Sequence, residues 1–139
     1  MKQLFTETQI ATMVSNLTDD LNRDYDNKKP IIIGVLNGSF IFLADLVRKL
    51  NFDFQIDFCQ VRSYKDNERG QLEFLKEQLE ICGPSSIKVC ALLLRKKQFS
   101  RDNSLGADYY GFMLDDEFVY GYGLDNAQYK RGLKNIYKI

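Results

Sequence analysis

Three side chains near the C-terminus have the types and spacing to hold a flat ring and a phosphorylated group. Phe118 begins an apolar stretch, Asp125 follows a glycine-containing turn, and Arg131 comes six residues later. An aromatic ring offers a stacking face for a planar heterocycle. A carboxylate can hold a divalent cation, and a guanidinium can bind a diphosphate through two parallel hydrogen bonds. Phe118 considered singly is more simply a core residue, but the three together predict a binding site.

Two further loops carry groups that can contact an anion. The turn at 36–38 links a β-branched run to a helical pattern, so its amides and the following helix N-terminus can face a negative charge. Arg62-Ser63-Tyr64 follows a second strand pattern and offers a cation, a hydroxyl and an aromatic ring. Ordinary turns and solvated loops show the same patterns, so neither segment defines a site by itself.

The composition excludes several kinds of chemistry. The chain has no histidine, which rules out histidine-dependent triads, imidazole bases and histidine-ligated zinc. Lys+Arg and Asp+Glu number 19 each, so no overall field attracts nucleic acid or an anionic membrane. The three cysteines form no C-x-x-C pair and are interpreted as buried thiols in a reducing compartment. With no apolar run of membrane-spanning length and no signal peptide, we expect a cytoplasmic protein without nucleic-acid or membrane partners.

The periodicity of apolar residues predicts an α/β domain. Strand patterns alternate with helical ones, which favours a mainly parallel sheet whose ligands bind at the carboxyl ends of the strands. Thr6 and Gln9 form a capping-box pattern at the first helix, and Ser39 is a candidate N-cap for the second. The predicted helices cover about 6–22, 40–50 and 72–82, and the predicted strands cover 31–36, 52–58, 87–94, 107–112 and 118–122.

In this order the motifs resemble the hypoxanthine phosphoribosyltransferases, in their bacterial form. The residues that carry the resemblance read VLNGSF, FLADLV, IDF and RSY in the first half, then DYYGF and EFVYGYGLD. It covers essentially the whole chain after the first helix. It implies a type I phosphoribosyltransferase fold, which is a mainly parallel twisted sheet flanked by helices with a small hood from the terminal regions, as a single domain over 1–139.

The resemblance also implies a reaction. Family members transfer a phosphoribosyl group from 5-phosphoribosyl-1-pyrophosphate to hypoxanthine or guanine, giving IMP or GMP and pyrophosphate in purine salvage. They use Mg²⁺ and form homodimers or homotetramers. The sequence alone does not distinguish hypoxanthine, guanine and xanthine as the base.

Individual residues acquire roles from the same resemblance. Leu36, Asn37 and Gly38 look like the turn that contacts pyrophosphate, often through a cis peptide bond. The implied pyrophosphate contacts also include Ser63, Tyr64 and Arg131, and the implied substrate contacts are Arg95, Phe118, Val119 and Asp125, with Asp125 also holding the metal.

The chain departs from the family at three places. Asn37 removes a cation that some relatives have beside the pyrophosphate. Arg95 stands where the family usually has lysine for the purine 6-oxo group, and Lys96 is the alternative if the register differs by one. Between Tyr64 and Leu72 the family has a further strand with paired acidic residues and a phosphate-binding loop that supplies the catalytic base. Here only the segment 65–71 occupies that interval, so roughly thirty residues are absent, about the size of one strand–helix unit. The catalytic residue is therefore unknown, and the segment is either deleted or unrepresented.

The absent segment motivates an alternative function. A non-catalytic nucleotide-binding or regulatory protein on the same fold would need neither the acidic pair nor the phosphate loop. A nucleic-acid-binding role, suggested only by the basic loop after Arg95, is opposed by the zero net charge.

Overall fold

The computed structural model describes residues 2–60, 68–96 and 106–139, and of residues 68–71 it describes the backbone alone. The chain divides into two compact units, Met1–Gln60 with Asp116–Ile139, and Val61–Asp115. No helix in the described part of the chain is long and apolar enough to cross a membrane. The elements are β1 (Lys2–Phe5), α1 (Glu7–Asp24), β2 (Ile31–Leu36), α2 (Phe40–Val47), β3 (Gln55–Gln60), α3 (Glu68–Ile81), β4 (Cys90–Arg95), β5 (Tyr109–Leu114), β6 (Val119–Tyr120) and β7 (Ile136–Lys138).

The first helix begins where the capping box predicts. The Thr6 hydroxyl accepts a hydrogen bond from the Gln9 amide, and the Gln9 side chain accepts one from the Thr6 amide. These two bonds satisfy amide donors that the first turn of a helix leaves without backbone partners. One face of α1 is buried, and its members recur at helical spacing: Ile10, Val14, Leu17, Thr18 and Leu21.

Strands β2 and β3 form a parallel pair in the first unit, as the β-branched run predicted. A Cβ atom placed on Gly34 would collide with the Leu43 side chain, so α2 packs closely over this face of the pair. The other face of β2 is open, because Ile31 is 62% exposed and Val35 is 39% exposed. In-register residues of a parallel pair share a face, so Val35 lies beside Cys59 on the open side.

An antiparallel sheet joins the two ends of the chain in the order β1-β7-β6. Sequence patterns did not predict β1 or β7, since each strand is short and pairs only with residues far along the chain. Ile136 is fully buried there, and the Tyr120 ring stacks on Tyr137 with centroids 5.7 Å apart. This sheet corresponds to the hood that the family resemblance implied.

The second unit contains α3 and the parallel pair β4–β5. Helix α3 ends near the expected stop signal, where Gly83 adopts a φ of 74° and its amide bonds to the Glu80 carbonyl. Leu92, Leu94 and Leu114 are buried. The α/β class and the parallel pairing of the strands that alternate with helices are confirmed.

The three cysteines differ in burial, and the expectation that all are buried is wrong. Cys82 is exposed, whereas Cys59 and Cys90 are partly buried, and all three are free thiols. Burial raises the pKa of the Cys90 thiol to about 12. Burial also raises the pKa of Cys59, with a smaller contribution from the Asp57 carboxylate.

These differences predict unequal thiol reactivity. Because the thiolate is the nucleophile, iodoacetamide at pH 8 should label Cys82 at least about 100-fold faster than Cys90. Peptide mass spectrometry after timed labelling measures the rates, with urea-unfolded protein as the control in which the difference should vanish. Equal rates in the folded protein would contradict the burial of Cys90.

Candidate functional site

The turn after β2 has an unusual backbone. The peptide bond between Leu36 and Asn37 is cis, the feature that the family resemblance associates with this turn. The Asn37 carbonyl accepts a 3.3 Å hydrogen bond from the Phe40 amide, and α2 begins directly afterwards. The turn therefore lies at the carboxyl end of β2, where parallel sheets bind ligands.

Ser39 does not cap α2 through its side chain. Its hydroxyl donates a 2.6 Å hydrogen bond backwards to the Val35 carbonyl, and its backbone is already helical. The prediction of a serine N-cap is therefore wrong in this respect. Because the Ser39 hydroxyl makes no capping hydrogen bond, it does not compete with an anion for the N-terminus of α2.

The segment 121–125 begins with three consecutive residues that have positive φ. Gly121, Tyr122 and Gly123 have φ values of 98°, 52° and 96°. Reciprocal hydrogen bonds between Gly121 and Leu124 close the turn, at 2.9 and 3.1 Å. Glycine adopts such angles without steric cost, so the Gly-Tyr-Gly order is the local reason for this turn.

This segment lies directly against the turn after β2. A Cβ atom placed on Gly123 would be 2.7 Å from the Gly38 carbonyl oxygen. A Cβ atom placed on Gly38 would in turn be 3.1 Å from the Leu124 side chain. Two segments that the sequence singled out separately are therefore neighbours. Their closeness requires glycine at 123 and leaves little room for a side chain at 38.

Asp125 and Arg131 are brought together in the same turn. Arg131 Nη2 lies 3.7 Å from Asp125 Oδ1, and the two side chains are 22% and 34% exposed, respectively. The Arg131 guanidinium also donates 2.8 Å and 3.3 Å hydrogen bonds to the Gly123 carbonyl and the Gln128 side chain. The Gln128 amide donates to Asp125 Oδ2 at 2.8 Å. Both charged groups are thus held in place before any ligand binds.

Asp125 is the candidate metal ligand, and its surroundings fit a metal that takes most of its oxygens from substrate and water. The described residues contain no group of three or more histidine, cysteine or acidic side chains that could enclose a metal. A small hard cation such as Mg²⁺ is commonly bound by one or two carboxylates together with substrate phosphates. The partly exposed Asp125 carboxylate is compatible with that arrangement.

Phe118 and Val119 differ sharply in exposure. The Phe118 ring is 52% exposed, which contradicts the simpler reading of this residue as part of the core. Its carbonyl accepts a 3.2 Å hydrogen bond from the Ile139 amide. Val119 is buried and pairs with Lys138 across β6 and β7. An anchored backbone with an exposed ring is a suitable arrangement for stacking on a planar ligand.

Of the remaining predicted site residues, the structure describes Arg95 and its alternative Lys96. Arg95 is half-buried at the end of β4, in register with Leu114 of β5. The alternative, Lys96, forms an exposed ion pair with Asp115 at 2.8 Å. Ser63 and Tyr64 lie outside the described residues.

Sequence reasoning missed Tyr122 and Asp45 altogether. The Tyr122 hydroxyl donates a 2.5 Å hydrogen bond to Asp45 Oδ2, across 77 positions of sequence. Tyr122 is buried, as is Tyr120. The sequence signal that could have indicated Tyr122 is its place between two glycines. A bulky residue in a glycine turn has a side chain that carries a conformational cost.

Comparison with known proteins agrees with this architecture. A family profile described as "Phosphoribosyl transferase domain" matches residues 1–75. The chain is 30% identical over 170 positions to a hypoxanthine-guanine phosphoribosyltransferase of Aquifex aeolicus, covering all of this chain and 94% of that protein. It is 29% identical to a hypoxanthine phosphoribosyltransferase of Buchnera aphidicola, covering all of this chain and 96% of that protein. That second alignment spans 171 positions, which is 32 more than the 139 residues of this chain.

Solved structures show the same relationship. A crystal structure of a hypoxanthine-guanine phosphoribosyltransferase from Bacillus anthracis superposes with a TM-score of 0.91 at 32% identity, covering all of this chain and 98% of that one. The hypoxanthine phosphoribosyltransferase from Trypanosoma cruzi in complex with the product IMP gives 0.87 at 28% identity, covering 99% and 93% of the two chains. The near-complete coverage in both directions includes the glycine turns, Asp125 and Arg131. The chain belongs to the hypoxanthine phosphoribosyltransferase family.

Proposed function

We propose that this protein transfers the phosphoribosyl group of 5-phosphoribosyl-1-pyrophosphate to hypoxanthine or guanine, forming IMP or GMP and pyrophosphate in purine salvage. The observation that carries the proposal is the placement of Arg131 and Asp125 in one turn, 3.7 Å apart, in a member of this family. At this distance the guanidinium can bind a diphosphate while the carboxylate binds the cation that accompanies it.

The chain's own residues would divide the work as follows. Arg131 would bind the leaving pyrophosphate, with Leu36, Asn37 and Gly38 contacting it through their backbone. Phe118 would stack on the purine, and the backbone of Val119 would contact its edge. Arg95 would donate hydrogen bonds to the 6-oxo group through its planar guanidinium. At this position the family usually has the compact ammonium group of lysine.

The proposed cofactor is Mg²⁺, held by Asp125. When bound, a divalent cation neutralises charge that develops on the departing pyrophosphate. Arg131 adds to the same effect from the protein side, because a preorganised donor needs no reorientation as charge develops.

Chelation of the metal with EDTA should therefore abolish product formation, and added Mg²⁺ should restore it.

We also propose that the natural chain has about thirty further residues between Tyr64 and Leu72, about the size of one strand–helix unit. Two observations support this: the alignment to the Buchnera protein is 32 positions longer than this chain, and β2 and β4 each have only one neighbouring strand among the described residues. Isolated two-stranded parallel sheets are unusual, since parallel sheets are normally larger and covered on both faces. The additional segment would supply the aspartate that the family resemblance implies as the catalytic base.

Intact-mass measurement tests this second proposal. Protein expressed from its own genomic locus should be several kilodaltons heavier than the 16.2 kDa of the present sequence. A mass of 16.2 kDa would establish a genuine deletion, and the protein should then be a poor catalyst at best.

Turnover by the natural full-length protein tests the function itself. Incubation with 5-phosphoribosyl-1-pyrophosphate, Mg²⁺ and hypoxanthine or guanine should yield IMP or GMP, detected by chromatography. Formation of no nucleotide from hypoxanthine, guanine or xanthine would refute the proposed activity.

The proposed assembly is a homodimer or homotetramer in the cytoplasm. Large apolar side chains such as Ile31 and Phe58 are more than half exposed, which supports self-association. Free thiols at Cys59, Cys82 and Cys90 support a reducing compartment. Light scattering on the purified protein should return a multiple of the chain mass.

A further inference from the structure

Tyr122 occupies a backbone position that favours glycine. Its φ of 52° lies between glycines at 98° and 96°, in a region that side chains with a Cβ rarely adopt. A third glycine at this position would relieve the conformational cost. The side chain at 122 must therefore contribute something that outweighs the cost of this backbone angle.

That contribution is a buried link to α2. The Tyr122 ring is 8% exposed, and its hydroxyl donates to Asp45 Oδ2 at 2.5 Å. Asp45 is itself oriented by Arg48, whose Nη2 lies 2.6 Å from Asp45 Oδ1. Burial and the hydrogen bond to Asp45 raise the pKa of the Tyr122 phenol, so it stays protonated and remains a donor. Asp45 belongs to the same helix that begins at the turn after β2.

The link continues from Tyr122 to the candidate anion-binding arginine. The Tyr122 and Gly123 amides donate 2.8 Å hydrogen bonds to the carbonyls of Leu133 and Arg131. The Gly123 carbonyl accepts a 2.8 Å bond from the Arg131 guanidinium. The backbone of Gly123 thus bonds to both the main-chain carbonyl and the guanidinium of Arg131. Tyr122 immediately precedes Gly123 in the chain.

We propose that Tyr122 is a positioning residue, whose hydrogen bond to Asp45 sets the place of Gly123 and so aims Arg131 at the diphosphate beside Gly38. The identity of the anion rests on the proposed function. The hydrogen bonds from Asp45 through Tyr122 and Gly123 to Arg131 exist whichever anion binds. Tyr122 touches no reacting atom in this scheme; it acts through Gly123 and Arg131.

Three variants test the link. Tyr122→Phe removes only the hydroxyl and keeps the ring that fills the buried site. Asp45→Ala removes the acceptor in a helix that tolerates alanine. The double variant completes a double-mutant cycle. Because both substitutions break the same hydrogen bond, the double variant should lose no more than either single variant does. Tyr129→Phe is the matched control, because that phenol is in the same segment and its side chain is 74% exposed.

The first readout needs no ligand. Hydrogen exchange followed by NMR should show the Gly123 amide exchanging about 10-fold faster in Tyr122→Phe and in Asp45→Ala than in the parent protein or Tyr129→Phe. Exchange at buried Ile136 of the adjacent strand should change much less, which separates local loosening from general destabilisation. Unchanged Gly123 exchange in Tyr122→Phe would overturn the positioning role.

The second readout is specific for anion placement. Calorimetric titration with pyrophosphate and Mg²⁺ should show Kd rising about 5- to 10-fold in both single variants and no further in the double variant. For the natural full-length protein, KM for 5-phosphoribosyl-1-pyrophosphate should rise by the same factor while KM for hypoxanthine stays constant. A parent protein that binds no pyrophosphate would contradict the proposed function, and the exchange result alone would then decide the role of Tyr122. Unchanged pyrophosphate affinity in Tyr122→Phe, with a parent that binds, would refute the proposal.

As a control for stability, Leu17→Val introduces a small defect in the buried face of α1, where Leu17 is 3% exposed. This variant should lower the melting temperature without changing pyrophosphate affinity. If Leu17→Val weakens pyrophosphate binding as much as Tyr122→Phe does, the effect of Tyr122 is merely one of stability and the positioning role is contradicted.

Discussion

Replacing Arg131 with glutamine should weaken pyrophosphate binding in the presence of Mg²⁺ about 100-fold. The guanidinium is the anchored cation of the turn, held by Gly123 and Gln128 and only 22% exposed. Hydrogen bonds to charged groups contribute about 1.5 to 3 kcal/mol each, and loss of about 2.7 kcal/mol corresponds to roughly 100-fold in affinity. Isothermal titration calorimetry measures the change, and it does so whether or not the chain turns substrate over.

The chain offers two comparisons for this experiment. Arg131→Lys keeps the charge but not the planar fork, so it should lose about 10-fold rather than 100-fold. Lys134→Gln removes an exposed cation three residues away and should leave Kd within about twofold, as exposed charges contribute little. Equal losses in Lys134→Gln and Arg131→Gln would mean that general charge, rather than the geometry of the turn, attracts the diphosphate.

Replacing Gly123 with alanine should lower the free energy of unfolding by about 2 to 4 kcal/mol. The reason is twofold: the backbone has a φ of 96°, and the added Cβ would be 2.7 Å from the Gly38 carbonyl oxygen. Contacts this short are relieved only by moving one of the two segments apart. Since both segments contribute to the candidate site, pyrophosphate affinity should fall together with stability. Urea unfolding followed by circular dichroism gives the stability change.

Gly132 provides the matched control. It lies in the same C-terminal region, yet a Cβ atom there would meet nothing within 4 Å and its backbone has no positive φ. Gly132→Ala should therefore change the free energy of unfolding by less than about 1 kcal/mol. Similar losses in both variants would indicate that alanine is harmful for a reason other than the approach of Gly123 to Gly38.

The local structure of the chain could be predicted where short-range patterns determine it. The capping box at Thr6, the strand at Ile31–Leu36 and the stop near Gly83 depend on interactions within a few residues, and all three are confirmed. The short strands β1 and β7 escaped prediction because nothing local distinguishes them. They exist because the two ends of the chain pair with each other.

The candidate site was predictable in part. The types of its residues indicated a ring, a cation and a diphosphate, and Asp125 and Arg131 do lie together. The exposure of Phe118 and the burial of Tyr122 could not be read from the sequence around them. Burial depends on what the rest of the chain places over a residue, and a strand pattern a few residues long contains no information about that.

The amino-acid sequence by itself therefore determined the α/β alternation, the start of α1 and the chemical groups available for a phosphoribosyl transfer. Only the tertiary structure decided that Gly123 lies against Gly38 and that Tyr122 reaches Asp45 across 77 positions. Periodicity and capping arise from interactions within one or two turns of chain. Contacts between distant segments depend instead on how whole elements pack, which no short stretch of sequence specifies.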